Sequence, residues 1–268
     1  MELRRRALRV LCTADPQEKA ELARALWACA ASISIAADAP AELPPATVPG
    51  RPARPELIHP AKVPRRSPAR PEGLAALLHA IAHIEFNAIN LALDAVWRFG
   101  GMPREFYLDW TRVAAEEALH FTLLREHLQS MGYAYGDFPA HDNLWAMCEK
   151  TKDDVVARMA LVPRTLEARG LDATPQIQRK LRQVGTPDAM RAVDILDIIL
   201  RDEVGHVAIG NQWYRWLCER DGVHPIALYS QLVEHYAAPK LHPPFNKEAR
   251  ERAGFTPEEM AWLMATPP

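Results

Sequence analysis

Glycine, cysteine and aromatic residues are scarce in this sequence, and neither sign of charge dominates it. The four cysteines are spread over 268 residues without a Cys-x-x-Cys pair, which argues against a disulfide framework or a thiolate zinc site and favours a reducing compartment, the cytoplasm. The 32 Lys and Arg residues are balanced by 34 Asp and Glu residues. The chain as a whole therefore has no excess of positive charge that would predict a nucleic-acid partner.

The sequence also has little that predicts membrane insertion or export. The longest apolar stretch near the start, residues 25–37, is too short to span a bilayer. The basic opening MELRRRALRV is followed by Asp15, Glu18 and Glu21, where a signal peptide would be apolar. We expect a cytoplasmic protein without a membrane partner.

Proline is the one residue type concentrated in a single region. Ten of the 23 prolines lie between Pro40 and Pro71, where each removes a backbone donor and restricts the residue before it. This distribution predicts an N-terminal helical extension (1–38) with a helix at residues 16–30, an extended strap (39–72) and a helical domain (73–268).

The strap has two interpretations that the sequence leaves open. One is a solvated linker, as its composition suggests. The other is a phosphate-binding patch, because its six basic residues face only Glu56; further basic residues near the C-terminus would extend such a patch. The basic residues are Arg51, Arg54, Lys62, Arg65, Arg66 and Arg70, with Lys240, Lys247, Arg250 and Arg252.

From residue 73 onward the apolar residues recur with helical periodicity, and no run alternates as a strand does. The sequence therefore predicts an all-α fold, a four-helix bundle with additional C-terminal helices. A short turn at Gly100 and Gly101 predicts that the first two long helices are antiparallel neighbours. The four long helices are expected at 73–99, 103–131, 150–168 and 187–220, and shorter ones at 225–238 and 257–264.

Acidic residues interrupt the apolar stripes of all four long helices. Glu85 lies among Leu78, Ile81 and Ala88 on the first helix, and Glu167 takes the same place on the third. A buried carboxylate without a partner is energetically expensive. These positions therefore predict that each carboxylate has a binding partner in the interior.

The second and fourth helices each carry Glu-x-x-His on their apolar stripe, as Glu117 with His120 and Glu203 with His206. The i, i+3 spacing places both side chains of each motif on one helix face. Each motif follows a lone glutamate, so that order and spacing repeat along the chain. Two antiparallel helix pairs related by a pseudo-two-fold axis would produce this repeat.

Four carboxylates and two imidazoles that converge in a bundle are the ligand set of di-iron and di-manganese proteins. The sequence therefore predicts a dinuclear site that holds two iron ions, two manganese ions or a mixed pair. The structural alternative is a set of surface salt bridges, which does not explain the apolar stripes. The predicted ligands are Glu85, Glu117, His120, Glu167, Glu203 and His206.

An acid precedes each Glu-x-x-His motif, Glu116 in one and Asp202 in the other. A residue one step earlier lies about 100° around the helix, toward a neighbouring helix. We expect Asp202 to accept the N–H of His120 and Glu116 that of His206, which would orient both rings.

Beyond the ligand pattern, the sequence resembles the ferritin-like superfamily over most of residues 51–255. It is similar to an uncharacterised ferritin-like family related to the tRNA-modifying non-haem di-iron hydroxylases. The resemblance implies a bundle with two metal ions and chemistry with dioxygen or peroxide. It is carried by EFNAINLALDAVWRF, EEALHFTLLREHL, ARMALVPRTLEARGLDATP, DEVGHVAIGNQW and PPFNKEARERAGF.

The expected function is thus that of a di-iron oxidoreductase, a hydroxylase of an unknown organic substrate. The alternative is metal storage or peroxide detoxification without an organic substrate, and a metal-free helical interaction module ranks third. RNA is a less favoured partner because the chain is nearly neutral, and a homodimer is compatible with the sequence. No catalytic residue beyond the metal ligands is assigned.

Three further residues have weaker assignments. His79 and His83 lie off the stripe of Glu85 and are interpreted as packing or surface histidines. Arg164 lies one turn before Glu167 and is expected to pair with a carboxylate among the ligands or their neighbours, a substrate anion being the alternative.

Overall fold

The computed structural model describes residues 1–64 and 66–265 and confirms the all-α prediction, since these residues form no β-strand. Arg65, a member of the basic strap, lies outside the described residues. The helices are α1 (Leu3–Cys12), α2 (Pro16–Ala30), α3 (Pro71–Arg98), α4 (Arg104–Ser130), α5 (Asn143–Lys150), α6 (Val155–Leu161), α7 (Ala168–Val184), α8 (Pro187–Arg220), α9 (Pro225–His235), α10 (Lys247–Arg252) and α11 (Pro257–Ala265). A π-helical turn, Val162–Glu167, joins α6 to α7.

The chain divides into two compact units. Unit 1 comprises Met1–Trp145 with Leu181–Ile195, and unit 2 comprises Ala146–Lys180 with the chain from Leu196 onward. The division into extension, strap and helical domain at residues 38 and 72 stays a prediction.

In unit 1, α3 and α4 pack together as antiparallel neighbours, as predicted. The Tyr107 hydroxyl donates to the carbonyl of Phe99 at 3.0 Å beside the connection, and Glu85 contacts His120 farther along the pair. Gly101 adopts a φ of 71° in the connection, a left-handed conformation that glycine adopts without steric cost. The predicted inward stripes of both helices are buried.

Hydrogen bonds fasten the strap, which contains a short 3₁₀ turn at Pro60–Lys62, to the rest of unit 1. The amide of Gly50 donates to Leu11 at 2.8 Å, and the amide of Ala140 donates to Glu56 at 2.9 Å. The buried amine of Lys19 on α2 donates to the Gly50 carbonyl at 2.7 Å and to Oδ1 of Asn90 on α3 at 2.5 Å. These bonds hold the proline-rich segment against the helices.

The prediction of one helix over residues 150–168 is wrong. The Asp154 side chain accepts from the amide of Ala157 and caps a new helix, α6, because an Asp before an apolar run satisfies a free first-turn amide. The helical geometry then changes to the π-helical turn that contains Pro163. Helix continues beyond the predicted end, as α7, to Val184.

Unit 2 has its own apolar core, in which α7 and α8 meet the C-terminal helices. Arg250, predicted as part of a basic surface, is instead buried, and its guanidinium donates to Asp172 at 2.6 Å. The helices expected at 225–238 and 257–264 are confirmed with ends that differ by a few residues, at His235 and Ala265. Residues of the core include Ala168, Leu171, Val207, Ala253, Phe255 and Met260.

One described helix, α3, is long and apolar enough by composition to cross a membrane. Of its apolar window, 72% is buried inside the protein, as in the core helix of a soluble protein. The predicted cytoplasmic location stays a prediction.

Candidate metal centre

In unit 1 the structure brings together three of the predicted ligands, Glu85, Glu117 and His120. Their ligand atoms lie within 4.8 Å of one another, and all three side chains are buried. Nδ1 of His120 lies 3.4 Å from Oε2 of Glu85 and 3.3 Å from Oε2 of Glu117. This arrangement is the one that the stripe positions on α3 and α4 predict.

Two carboxylates held this closely in an apolar interior disfavour ionisation. Burial, together with the nearby charge of Glu117, raises the pKa of Glu85 well above its usual value, and hydrogen bonding to His120 opposes this only in part. A cation between the groups would reverse that effect, because it stabilises the ionised carboxylates. Carboxylate oxygens and an imidazole nitrogen are suitable ligands for iron or manganese. The unit 1 residues therefore fit a metal ion.

Aromatic residues directly follow two members of this cluster in the sequence, and their rings pack against each other. Phe86 and Phe121, each next to a predicted ligand, have ring centroids 5.5 Å apart. Tyr135, from the segment after α4, lies 5.7 Å from Phe86 and 5.0 Å from Phe121. These three rings form an aromatic group within unit 1.

His79 and His83 are confirmed as packing residues. Nδ1 of His83 lies 2.8 Å from the hydroxyl of Tyr135, and Nε2 of His79 accepts from the amide of Gly136 at 2.8 Å. Burial lowers the pKa of His79 to about 4 and that of His83 to about 3. Both imidazoles are therefore neutral near pH 7.

In unit 2 the second Glu-x-x-His motif repeats this local geometry. Nδ1 of His206 lies 3.3 Å from Oε2 of Glu203, and both side chains are buried. Glu167, the last residue of the π-helical turn, is buried as well, with 7% of its surface exposed. Gly170 leaves space near the Glu203 carboxylate, since an added Cβ would lie 3.7 Å from Oε1.

The two outer acids contact basic neighbours on their own helices. Glu116 lies 3.9 Å from Arg112, and Asp202 accepts from Nε of Arg201 at 2.7 Å. In each Glu-x-x-His motif, Nδ1 of the histidine faces the glutamate of the same motif. Asp202 or Glu116 would therefore have to approach the imidazole at Nε2. The assignment of Asp202 to His120 and of Glu116 to His206 stays a prediction.

Arg164 pairs with a carboxylate outside the predicted ligand set. Its guanidinium donates to Oε1 of Glu259 at 2.8 Å and to Oδ1 of Asn211 at 2.6 Å. The expectation that it pairs with a ligand or with a carboxylate beside the ligands is wrong, because its partner is Glu259. Sequence reasoning missed Glu259, because nothing in its local pattern marks a partner 95 residues away.

The π-helical turn was also missed, although the sequence carries a signal for it. Pro163 lies inside the predicted third helix, where proline cannot donate its backbone hydrogen bond. A proline four residues before a lone buried glutamate therefore indicates altered helix geometry at the site.

Comparison with known proteins gives the family of the chain without a described activity. Residues 12–261 match the family model described as "Protein of unknown function (DUF455)". A protein of Haemophilus influenzae, described as uncharacterized, is 48% identical over 263 residues, covering 94% of this chain and 90% of that protein. No solved structure matches. The chain belongs to the DUF455 family, whose model covers both Glu-x-x-His motifs.

Proposed function

We propose that this protein is a ferritin-like oxidoreductase with two bound metal ions, iron being the expected metal, that uses dioxygen or peroxide to oxidise an organic substrate. The observation that carries the proposal is the buried group of Glu85, Glu117 and His120. Its charges are costly in an apolar interior without a cation. The ferritin-like assignment rests on the sequence resemblance.

We further propose that Glu167, Glu203 and His206 complete the ligand set. Both Glu-x-x-His motifs have the same local geometry, with 3.3 Å between imidazole and carboxylate. All the predicted ligands are buried. The same order of lone glutamate and motif occurs twice in the sequence, which supports one pseudo-symmetric pair site over two unrelated sites.

The side chains have distinct roles in this proposal. The carboxylates would neutralise the cations, and a bound cation would oppose the burial that raises the pKa of Glu85. The imidazoles fix the geometry through Nδ1. A redox-active metal pair would supply the electrons that dioxygen or peroxide accepts.

An open groove in unit 2 is the place that we propose for an organic substrate. It has a volume of about 320 Å³ and lies between α8 and α10, where Leu200 and Val204 form an apolar wall. Both residues flank Glu203 in the sequence. Its other walls carry Arg201, Arg252, Asp197 and Glu248, so it suits a molecule with both polar and apolar parts.

The test compares iron loading with dioxygen uptake. The purified protein is loaded anaerobically with increasing ferrous iron, exposed to air-saturated buffer, and assayed for iron per chain and dioxygen consumed. We expect the retained iron to level off at about two ions per chain. When a reductant is supplied, the protein should continue to consume dioxygen although it takes up no more iron. Retained iron that keeps rising with supply would instead indicate storage.

The variant Glu117→Ala should abolish this dioxygen uptake. The matched control is Glu126→Ala, which removes an exposed carboxylate from the same helix. Dioxygen uptake that persists in Glu117→Ala would contradict the proposed function.

A further inference from the structure

The turn that carries Glu167 departs from α-helical geometry for identifiable reasons. Pro163 has no N–H that could donate to the carbonyl of Met159. The amide of Ala168 donates to the carbonyl of Pro163, five residues back, whereas an α-helix would pair it with the residue four back. The hydroxyl of Thr165 donates to the carbonyl of Ala160 at 2.8 Å and contacts the hydroxyl of Tyr229 at 2.8 Å. The turn therefore depends on side-chain contacts that an α-helix would not need.

The strongest of these contacts belongs to Arg164, which is almost fully buried at the centre of the turn. Its guanidinium carbon lies 4.8 to 5.3 Å from the ring centroids of Phe255, Tyr214 and Tyr229. The ionic partner is Glu259 on α11, at 2.8 Å. A buried arginine enclosed by rings and held by a carboxylate has few alternative orientations.

Glu259 is itself fixed by several donors from the same unit. Burial alone would raise its pKa, and the charges of Arg164 and Arg215 with the amide of Thr256 bring the pKa below the usual value. The carboxyl is therefore ionised at neutral pH. Asn211 adds a second link, since it accepts from Arg164 and donates to the carbonyl of Ala253 at 2.8 Å.

On α8, Gly210 allows the turn to pack closely against the helix. A Cβ added at Gly210 would lie 2.6 Å from Cβ of Pro163, and a proline ring cannot rotate away from such a contact. Gly210 follows His206 by one helical turn. The turn is thus confined by α8 and by the C-terminal segment, the residues 246–265.

We propose that the C-terminal segment is the positioning element for Glu167, acting through the Glu259–Arg164 ion pair on the π-helical turn. A π-helical turn contains one residue more than the α-helical path, so its relaxation would rotate Glu167 by about 100° about the helix axis. The carboxylate would then leave its buried orientation. The role of Glu167 as a metal ligand rests on the proposed function.

The test removes the ion pair without leaving a lone buried charge, in the double variant Arg164→Met with Glu259→Gln. The matched control is Arg98→Met with Asp94→Asn, which removes the 2.6 Å pair of unit 1. A second variant, Gly210→Ala, pushes on Pro163 and leaves the ion pair intact. Each protein is measured without metal by amide hydrogen exchange and then titrated with Co²⁺, whose visible absorption reports ligand geometry.

We expect exchange in residues 162–168 to accelerate about 10-fold or more in the double variant and in Gly210→Ala, with residues 199–206 much less affected. One of two Co²⁺ ions should bind about 10-fold more weakly with an altered spectrum. The control should change neither measurement. These results would support the positioning role.

Three outcomes would overturn the role of the C-terminal segment: unchanged exchange in residues 162–168, equal acceleration in residues 199–206, or unchanged Co²⁺ affinity and spectrum despite faster exchange. If the wild type binds no Co²⁺, the proposed function fails separately. Exchange alone then decides whether the segment holds the turn.

Discussion

Nδ1 of His120 on α4 lies 3.4 Å from Oε2 of Glu85 on α3. The imidazole thus contacts a carboxylate from the neighbouring helix as well as Glu117 from its own. Contacts of this kind make the affinity for a metal dependent on helix packing as well as on the ligands.

Asp202→Asn should leave the fold intact and weaken metal binding by about 10- to 100-fold, the usual effect of losing a carboxylate that orients a ligating histidine. Metal affinity is measured by competition with a coloured chelator, and folding by circular dichroism. Glu219→Gln, an exposed change on the same helix, serves as the control. Equal affinities in wild type and Asp202→Asn would refute the assignment of Asp202 to His120.

We expect the free energy of unfolding to depend on pH because of Lys19. Burial lowers the pKa of this amine to about 7, and the charge of Cys12 opposes the shift while that of Arg51 adds to it. Between about pH 7 and about pH 10.5 the unfolded chain holds a proton on Lys19 that the folded chain has lost. The free energy of unfolding therefore rises with pH through this window.

Comparison with Lys19→Met isolates this contribution. From about pH 7.5 to about pH 9, the stability of the wild type relative to the variant should increase by roughly 2 kcal/mol, measured by urea unfolding. The exposed change Lys180→Met should show no such trend. Parallel pH profiles for the wild type and Lys19→Met would show that the amine stays protonated in the folded state.

Much of the site geometry follows from helical periodicity. The stripe positions place Glu85, Glu117 and His120 on buried faces, because i, i+3 and i, i+4 spacing determines which side chains share a face. A short glycine turn was sufficient to predict that α3 and α4 are neighbours. These features depend on local sequence, which is why they could be predicted.

Features that depend on long-range contacts could not be predicted in this way. The interruption at residues 151–154 and the π-helical turn have local signals, Asp154 and Pro163, whereas the buried pair of Arg164 with Glu259 joins residues 95 positions apart. The basic residue Arg250 was placed on a surface because charge usually lies there, yet Asp172 and two rings accommodate it in the core. Such partners are distant in sequence and carry no periodic signal.

We expect the strap to bind RNA weakly or not at all. Arg51 already donates to Asp142 at 2.7 Å, and Arg66 lies 3.4 Å from Glu72, which reduces the field available to phosphates. We expect no detectable binding of bulk tRNA at low salt by fluorescence anisotropy.

Variants of the basic residues show whether any RNA binding that is observed depends on the strap. Salt-dependent binding that is weakened by Arg65→Ala, Arg66→Ala and Arg70→Ala together would contradict the expectation and assign RNA to the strap. The matched control removes the same charge from the exposed surface of α7, through Arg179→Ala, Lys180→Ala and Arg182→Ala.

The binding of two metal ions is measured by anaerobic titration of the metal-free protein with ferrous iron, followed by gel filtration and elemental analysis. We expect about two iron ions per chain for the wild type and for the controls Glu126→Ala and Glu219→Ala. Glu117→Ala and Glu203→Ala should each lose most of the metal while keeping their helical content. A wild-type protein that takes up no iron under these conditions would contradict the account.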